Sequence, residues 1–334
     1  MRPDKPFILL AAGAFLLLVL SWSELSTPPP SWTPQEVTIP KGASFKEVLL
    51  LLKERGLIGA SLPLYLYGRL TGTDRRIRAG IYRFQEPLPP LEILRILREG
   101  KGILLKVVIP EGLTVGQIAE ILKQEGVIES KEAFLKAAGD RHFLQSLGLH
   151  YPSLEGFLFP DTYLFSPAED PKRVIRVMVD NFRRHWPEAF SLRAKELGLS
   201  DYEVLTLASI IEKETSVSWE KPLISAVFHN RLKKRIPLCA DPTVIYGLGE
   251  KFRGDLRREH LRTPTPYNTY LLRGLPPTPI CNPGMESLRA ALYPADVPYL
   301  YFVSKNDGTH HFSRTLKEHN RAVRIYQKRL KLPK

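Results

Sequence analysis

The stretch LASIIEKETS, residues 207–216, has the spacing of an amphipathic helix that carries two carboxylates. At about 100° per residue, Leu207 and Ile211 fall on one apolar stripe, and Glu214 lies one turn further along it. Glu212 lies two residues before Glu214 and takes another face, which predicts that it points to solvent. A carboxyl group in apolar surroundings has a raised pKa and can keep a proton near neutral pH, as a general acid requires. The competing interpretation is that Glu214 ends the helix and extends into water.

Further motifs follow this helix in a fixed order. The sequence reads EKET (212–215), DPTVIYG (241–247), TPTPYNTY (263–270), GLPPTPICNPG (274–284) and YFV with GTHHF (301–312). In this order the motifs resemble the MltG (YceG-like) family of endolytic murein transglycosylases, and the resemblance covers roughly residues 37 to 330. It implies that the second Glu of EKET, Glu214, is the catalytic residue.

One carboxylate on an apolar face has a chemical consequence. Ordinary glycosidases place two carboxylates on either side of the scissile bond. A lytic transglycosylase can use one, which protonates the glycosidic oxygen and then takes the proton of the sugar's own C6 hydroxyl. Asp241 is the one candidate partner, and DPT favours a turn or orienting role for it. A hydrolytic muramidase using Glu214 with Asp241, and a non-catalytic peptidoglycan-binding scaffold, remain the alternatives.

The matching motifs also supply polar side chains that we expect to line the glycan cleft. Cys239, Ala240 and Cys281 depart from the family pattern, so the cleft wall differs there. Two cysteines are too few for a disulfide framework, and a bond between them stays open because distance cannot be read from sequence. No zinc-site spacing is present and no cofactor is predicted. The residues predicted to bind substrate are Asp241, Tyr246, Tyr267, Asn268, Thr269 and His310.

Length and charge limit the function classes. The chain has 334 residues, a length typical of about two folded domains. Its formal net charge is +13, which favours an anionic partner such as a lipid surface, an acidic polymer or nucleic acid. The basic residues are scattered and no RNA-binding or zinc-finger signature is present. We therefore expect a membrane surface or cell wall, and no nucleic acid, as partner.

The N-terminal region predicts export. Phe7 to Leu20 are all apolar or small, and Arg2 and Lys5 precede them, which places the N-terminus in the cytoplasm by the positive-inside rule. The length lies between a signal-peptide core and a membrane span, so a cleaved signal peptide is the alternative to a retained anchor. We expect a cytoplasmic tail (1–6), a transmembrane signal anchor (7–22) and a Pro/Ser-rich linker (23–36).

An internal repeat follows the linker. VTIPKGASFKEVLLLLKERGLI begins at Val37, and VVIPEGLTVGQIAEILKQEGVI begins at Val107. Each copy predicts a short strand, a Gly-containing turn, a helix capped by Ser44 or Thr114, and a glycine stop. A strand, turn and short helix resemble half of a LysM-type wall-binding module, and the family resemblance implies a LysM-like domain here. A generic αβ packing unit that binds nothing is the alternative.

Together these patterns predict an α+β protein with an N-terminal single transmembrane helix, a LysM-like αβ domain and a mixed α+β catalytic domain. The aromatic segment 154–165 is expected to open the catalytic part and to pack in its core. The resemblance implies peptidoglycan glycan strands, the cytoplasmic membrane and peptidoglycan synthases as partners, with the catalytic domain periplasmic. The predicted domain boundaries are 37–104 for the LysM-like domain, 105–150 for the second repeat with connecting helices, and 151–334 for the catalytic domain.

Overall fold

The computed structural model describes residues 25–30 and 32–327. The predicted tail and anchor, residues 1–22, lie outside the described residues. Within the described ranges, no helix combines the length and the apolar composition that crossing a membrane requires. The described residues divide into two compact units, one that runs up to Lys106 and includes Leu164–Ala168, and the other that comprises Val107–Tyr163 and the described residues from Glu169 onward.

The first unit has the order strand, helix, helix, strand, helix, strand. These elements are β1 (Gln35–Ile39), α1 (Phe45–Glu54), α2 (Ser61–Thr71), β2 (Gly80–Phe84), α3 (Pro90–Glu99) and β3 (Ile103–Val108). Strands β1 and β2 pair antiparallel, with Val37 opposite Tyr82, and both side chains are buried. They lie in a four-stranded sheet of order β1-β2-β3-β4, whose last strand β4 is Thr162–Phe165.

The second unit is mainly helical. The bounds of its elements are α4 (Val115–Gln124), α5 (Lys131–Ala138), α6 (Arg141–Ser146), α7 (Pro171–Arg184), α8 (Glu188–Glu196), α9 (Asp201–Glu214), α10 (Lys221–Lys233), α11 (Asp241–Leu248), α12 (Met285–Leu292), β5 (Tyr301–Ser304), β6 (His310–Ser313) and α13 (Leu316–Tyr326). Strands β5 and β6 form an antiparallel pair that brings Ser304 opposite His310. The observed mixture of helices and antiparallel strands confirms the α+β class.

The repeated helix starts form as predicted. The side-chain oxygens of Ser44 and Thr114 accept hydrogen bonds from the backbone N–H groups of Glu47 and Gln117. In return, the side chains of Glu47 and Gln117 accept the backbone N–H groups of Ser44 and Thr114. This capping box satisfies two backbone donors that the helix itself cannot pair. The two copies therefore share a local structure, although they belong to different units.

The second copy is joined to the rest of its unit by buried polar contacts. Leu113 and Asn282 form an isolated antiparallel bridge. One carboxylate oxygen of Glu155 accepts the Val115 N–H at 2.9 Å and the Asn282 side-chain amide at 3.0 Å. Burial raises the pKa of Glu155 to about 7, and these hydrogen bonds oppose that rise. Residues 107–115 are thus part of the framework of the second unit.

The middle of helix α9 is enclosed on all sides, whereas Glu203 and Lys213 near its ends are exposed. Ser200 caps it, and every residue from Val204 to Ile211 is buried. The apolar stripe is buried as predicted, but the opposite side of this part of the helix is buried as well. In the folded protein this segment therefore has no solvent-facing side. Its buried hydroxyls bond to its own carbonyls, Thr206 to Tyr202 at 2.8 Å and Ser209 to Thr206 at 2.7 Å.

Two smaller expectations are also decided by the packing. The side chains of Phe157, Phe159 and Tyr163 are buried, so the aromatics of segment 154–165 pack in the core as predicted. Cys239 and Cys281 are both free, and Cys281 is buried with its thiol donating to the Ser209 carbonyl at 3.3 Å. The disulfide that the sequence left open is therefore absent.

Candidate active site

Glu214 is the last residue of helix α9 and lines a cavity of about 450 Å³ in the second unit. The Glu214 carboxyl group borders the cavity at the end of the helix, because the helix stops there and Thr215 is in an extended conformation. The predicted residues Asp241 and His310 line the same cavity. Its wall is completed by Arg231, Leu238, Cys239, Tyr270, Tyr301, Phe302, Val303, Ser304, Leu316, His319, Val323 and Gln327.

The environment of Glu214 favours its protonated form. Burial, and next the negative charge of Asp241, raise the pKa of Glu214 to about 8, and Arg231 acts in the opposite direction. The carbonyl dipoles at the end of helix α9 also disfavour a negative charge there. The side chain keeps some exposure because it borders the cavity. A proton is therefore available at neutral pH on a group that substrate can reach.

Asp241 begins helix α11 and is held by an aromatic hydroxyl. The Tyr270 hydroxyl donates to the Asp241 carboxylate at 2.6 Å. Tyr270 keeps its proton, because burial and the acceptor Asp241 raise the pKa of its hydroxyl. Asp241 is thus fixed in the cavity wall as a carboxylate that influences Glu214 through its charge.

His310 is oriented by a buried carboxylate. Glu220 is fully buried, and its two oxygens accept the His310 backbone N–H and the ring Nδ1, each at 2.7 Å. A carboxylate acceptor fixes the proton on Nδ1, which leaves Nε2 as the free ring nitrogen of a residue that lines the cavity. The ring also packs edge-on against Phe302, with centroids 5.4 Å apart. His310 is therefore a preorganised polar group of the site.

The prediction that Glu212 points to solvent was wrong. Only 8% of its side chain is exposed, and it accepts the Gly284 N–H at 3.0 Å. The loop 278–284 covers this side of helix α9, which periodicity within the helix cannot reveal. Lys213 and Thr215 of the EKET motif also make contacts within the protein. The Lys213 ammonium donates to the Gly112 carbonyl at 3.2 Å, and the Thr215 hydroxyl accepts the Val217 N–H at 3.0 Å.

Glu212 belongs to a charged cluster around Lys221. The Lys221 ammonium lies 3.4 Å from the nearer Glu212 oxygen, 3.8 Å from Glu286 and 3.9 Å from Glu111, and only 4% of its side chain is exposed. Burial and the neighbouring Glu212 raise the pKa of Glu111. Gly284 permits the approach of Glu111, because a Cβ atom at this position would overlap the Glu111 carboxylate. One buried cation thus lies among three acids behind helix α9.

Four predicted substrate-binding residues lie outside the cavity wall. The Tyr246 hydroxyl donates to Glu155 at 3.2 Å, and Tyr267 shares a 2.9 Å hydrogen bond with Thr278. Asn268 and Thr269 are fully buried. Asn268 donates to the backbone of the same loop, and Thr269 accepts the Ala240 N–H at 3.0 Å. The structure gives all four a role in holding loops, and their role in binding glycan stays a prediction.

Sequence reasoning missed three residues of the site. Tyr270 is the last residue of the TPTPYNTY motif, and its place in that motif is the sequence feature that could have indicated its role. Arg231 stands in a basic stretch with Lys233, Lys234 and Arg235 that suggests a solvated surface, but its guanidinium donates to the Leu238 and Leu300 carbonyls at 2.7 Å. Glu220 carried no signal, because its partner His310 lies 90 residues further along the chain.

The arrangement suits proton transfer by a single carboxyl group. Glu214 can give a proton to an oxygen in the cavity and then receive one, and Asp241, Arg231 and His310 supply charge and hydrogen bonds around it. In the described part of the chain, no three His, Cys, Asp or Glu side chains are arranged to hold a metal ion.

Comparison with known proteins connects this geometry to a family. The model of the YceG-like family matches residues 37–325. A protein of Bacillus subtilis named endolytic murein transglycosylase is 33% identical over 312 residues, which cover 89% of this chain and 86% of that protein. A protein of the same name from Streptococcus pneumoniae D39 is 28% identical over 319 residues, 86% of this chain. The chain spans 57% of that longer relative.

A solved structure shares the fold. The crystal structure of a YceG-like protein from Listeria monocytogenes superposes with a TM-score of 0.62 at 32% sequence identity. The match covers 86% of this chain and 98% of that one. The likeness therefore extends over both units and is not confined to the cavity.

Proposed function

Because the chain belongs to the YceG-like family, we propose that this peptidoglycan lytic transglycosylase cuts glycan strands internally and leaves 1,6-anhydro-N-acetylmuramic acid ends. The observation that carries the proposal is the position of Glu214, whose raised pKa of about 8 keeps a proton on a carboxyl group that lines the cavity. Such cuts in nascent strands would terminate them.

The reaction needs only one proton carrier. Glu214 protonates the oxygen of the glycosidic bond between N-acetylmuramic acid and N-acetylglucosamine, and the bond to C1 breaks. The exocyclic C6 hydroxyl of the same sugar attacks C1, and the new C1–O6 bond closes the 1,6-anhydro bridge. Glu214, now a carboxylate, removes the hydroxyl proton, so the enzyme regains its starting state and no water is consumed. His310 Nε2 and Arg231 are placed to hold sugar hydroxyl or acetamido groups during these steps.

A hydrolytic muramidase is the second candidate, because Asp241 lies in the same cavity as Glu214. In that reaction a water replaces the C6 hydroxyl, and two carboxylates share the work. The products separate the two: purified sacculi digested by the full chain give anhydro ends, one water lighter, in the first case and reducing ends in the second. Mass spectrometry of the released muropeptides decides between them. Absence of any turnover would leave a non-catalytic scaffold.

We also propose that Phe7–Leu20 is retained as a membrane anchor, with the N-terminus cytoplasmic and the catalytic unit outside the membrane near the peptidoglycan synthases. The support is the apolar run and the preceding Arg2 and Lys5. N-terminal sequencing of the membrane fraction tests retention, and a mature chain that starts near Glu24 would contradict it.

The first unit is proposed as a LysM-like wall-binding module. Its strand, helix, helix, strand order, with β1 and β2 paired antiparallel, supports this role. The test is pelleting with purified sacculi at low salt, where basic surfaces bind most readily. A fragment of about residues 37–104 that stays in the supernatant would leave the unit with a packing role only.

A further inference from the structure

Helix α2 of the first unit exposes an apolar face. Leu62, Leu66 and Leu70 follow one another at four-residue intervals, so they form one stripe along the helix. Their side chains are 67%, 54% and 88% exposed, and Tyr67 adjoins them with 36% exposed. A contiguous row of exposed leucines on one helix is typical of a surface that binds a membrane, another protein or an apolar ligand. We call these four residues the α2 leucine face.

Packing on the other side fixes the direction of this face. Leu64 and Gly68 are the buried residues of α2. Gly68 lets the Phe45 ring approach the helix, because a Cβ atom at Gly68 would overlap the ring. The helix therefore cannot rotate to bury its leucines in its own unit. The α2 leucine face must meet something outside it or stay in water.

The sequence of α2 and of the segment that follows it is basic. Residues 61–80 contain Arg69, Arg75, Arg76 and Arg78 but only one acid, Asp74, which gives a net charge of +3. Arg69 and Asp74 pair with each other at 2.9 Å. Exposed leucines beside arginines are the composition of helices that lie in the interface of an anionic bilayer. A second copy of the chain would bring like charges together across a symmetric contact.

The chain also restricts the distance of the first unit from the apolar segment Phe7–Leu20. Leu25 packs against the core of the first unit. It follows Leu20 by five residues, which span at most about 18 Å when fully extended. If Phe7–Leu20 lies in a bilayer, the first unit is held at the surface of that bilayer at a high effective concentration. A weak apolar contact is then sufficient to dock it.

From these observations we propose that the α2 leucine face docks the first unit on an anionic membrane surface. The inference rests on the membrane anchoring proposed above. It goes beyond anchoring, because a tether alone leaves the unit free to turn, whereas a docked face fixes its orientation.

The experiment uses the full chain carrying Cys239→Ser, so that the buried Cys281 is the only native thiol. Leu66→Cys is labelled with an environment-sensitive fluorophore, and the chain is reconstituted in vesicles of phosphatidylglycerol and phosphatidylcholine. The matched control is Leu192→Cys, since Leu192 is also a helical leucine with 54% exposure but belongs to the second unit. Lipids with a nitroxide headgroup report contact by quenching.

We expect the label at position 66 to shift to the blue and to be quenched, and the label at 192 to stay in water. Replacing the exposed Leu62 and Leu70 by Ser should abolish both effects at 66. Equal quenching at 66 and 192 would overturn the proposal. A blue shift without lipid quenching, or one lost on adding glycan fragments, would overturn it in favour of a second copy or of sugar.

A second experiment distinguishes failure of the membrane-anchor proposal from failure of the proposal that the α2 leucine face docks on lipid. Carbonate extraction of the full chain from cell membranes reports anchoring alone. If carbonate releases the chain, the anchor proposal fails, and quenching of the label at 66 in vesicles mixed with the chain still decides whether the face binds lipid.

Discussion

The ring nitrogen Nδ1 of His310 lies 2.7 Å from a carboxylate oxygen of Glu220, a residue with no exposed surface. The other Glu220 oxygen accepts the His310 backbone N–H at the same distance. A single buried acid thereby fixes both the strand end and the tautomer of a histidine that lines the cavity. Glu220 is a positioning residue, because it acts on the cavity only through His310.

Glu220→Gln should lower kcat/KM by roughly 10- to 100-fold, which corresponds to loss of one charge-assisted hydrogen bond. The amide no longer enforces a proton on Nδ1, so the pH dependence of turnover should change as well. The measurement is release of anhydro-muropeptides across pH. Glu220→Asp, which keeps the charge, should recover part of the activity. If His310→Ala retains full activity, the positioning role assigned to Glu220 is wrong.

Glu214→Gln should reduce turnover by about 10²–10⁴-fold, because general acid–base catalysis contributes that much and one group performs both steps. Glutamine has the same shape, so circular dichroism should be unchanged. Burial, and next the charge of Asp241, raise the pKa of Glu214 from its ordinary 4.5 to about 8 in the folded protein, so the wild-type protein loses stability as pH rises from about 4.5 to about 8 and has lost all of this contribution above that pH. The variant has no such loss and should be the more stable of the two at pH 9. A folded, fully active Glu214→Gln protein would contradict the assignment.

Turnover should fall as pH rises through about 8, because Glu214 must hold its proton to act as acid. Asp241→Asn removes the negative charge that raises this pKa, so the alkaline limb should move to lower pH. The measurement is kcat/KM from pH 5 to 10 for both proteins. An unmoved limb would mean that another group controls the profile. Complete loss of activity in Asp241→Asn, together with reducing ends among the products of the wild-type protein, would support the hydrolytic reaction.

Lys221→Met should destabilise the second unit by about 3–5 kcal/mol, the usual consequence of leaving buried charges unpaired. Glu212, with 8% of its side chain exposed, would lose its cation, and Glu111 and Glu286 would face it with no compensating charge. Urea unfolding at pH 7 measures the change. Lys234→Met, at an exposed position, is the control and should stay within about 0.5 kcal/mol of wild type. Equal midpoints for the two variants would show that the cluster does not stabilise the fold.

Alkylation of Cys239 should block turnover, because this thiol lines the cavity beside Glu214 whereas Cys281 is buried. Burial raises the pKa of the Cys239 thiol, so the reaction should be faster at pH 9 than at pH 7. Mass spectrometry should find one adduct in the native protein. Cys239→Ser should be insensitive to the reagent, and inhibition of that variant would locate the effect elsewhere.

Local patterns predicted local structure. The caps at Ser44 and Thr114 formed because the groups that satisfy them lie three residues away. Glu214 was found because its position follows from the helical period and from the end of the helix. These features depend on neighbours along the chain, which are visible in the sequence.

Features that depend on distant neighbours were missed. Glu212 was assigned to solvent, but the loop that covers it contributes Gly284, 72 residues later. The pairing of Glu220 with His310 also joins residues far apart in the sequence. Tyr246 and Asn268 were expected in the cavity because polar motif residues suggest a binding role, yet their side chains hold loops together. Neither the hydrophobic period nor the spacing of motifs in the sequence indicates which polar side chain will find a hydrogen-bond partner within the protein.

The bridge between Leu113 and Asn282 determines where the chain can be shortened. A fragment that starts at residue 151 would contain every cavity residue, but Asn282 and Glu155 would lose Leu113 and Val115 as partners. Each buried polar group left without a partner costs about 1–3 kcal/mol of stability, so the truncated protein would be less stable. Recombinant work on the catalytic part should therefore start before Val107, and removal of the first unit is then a test of its function that leaves the chemistry in place.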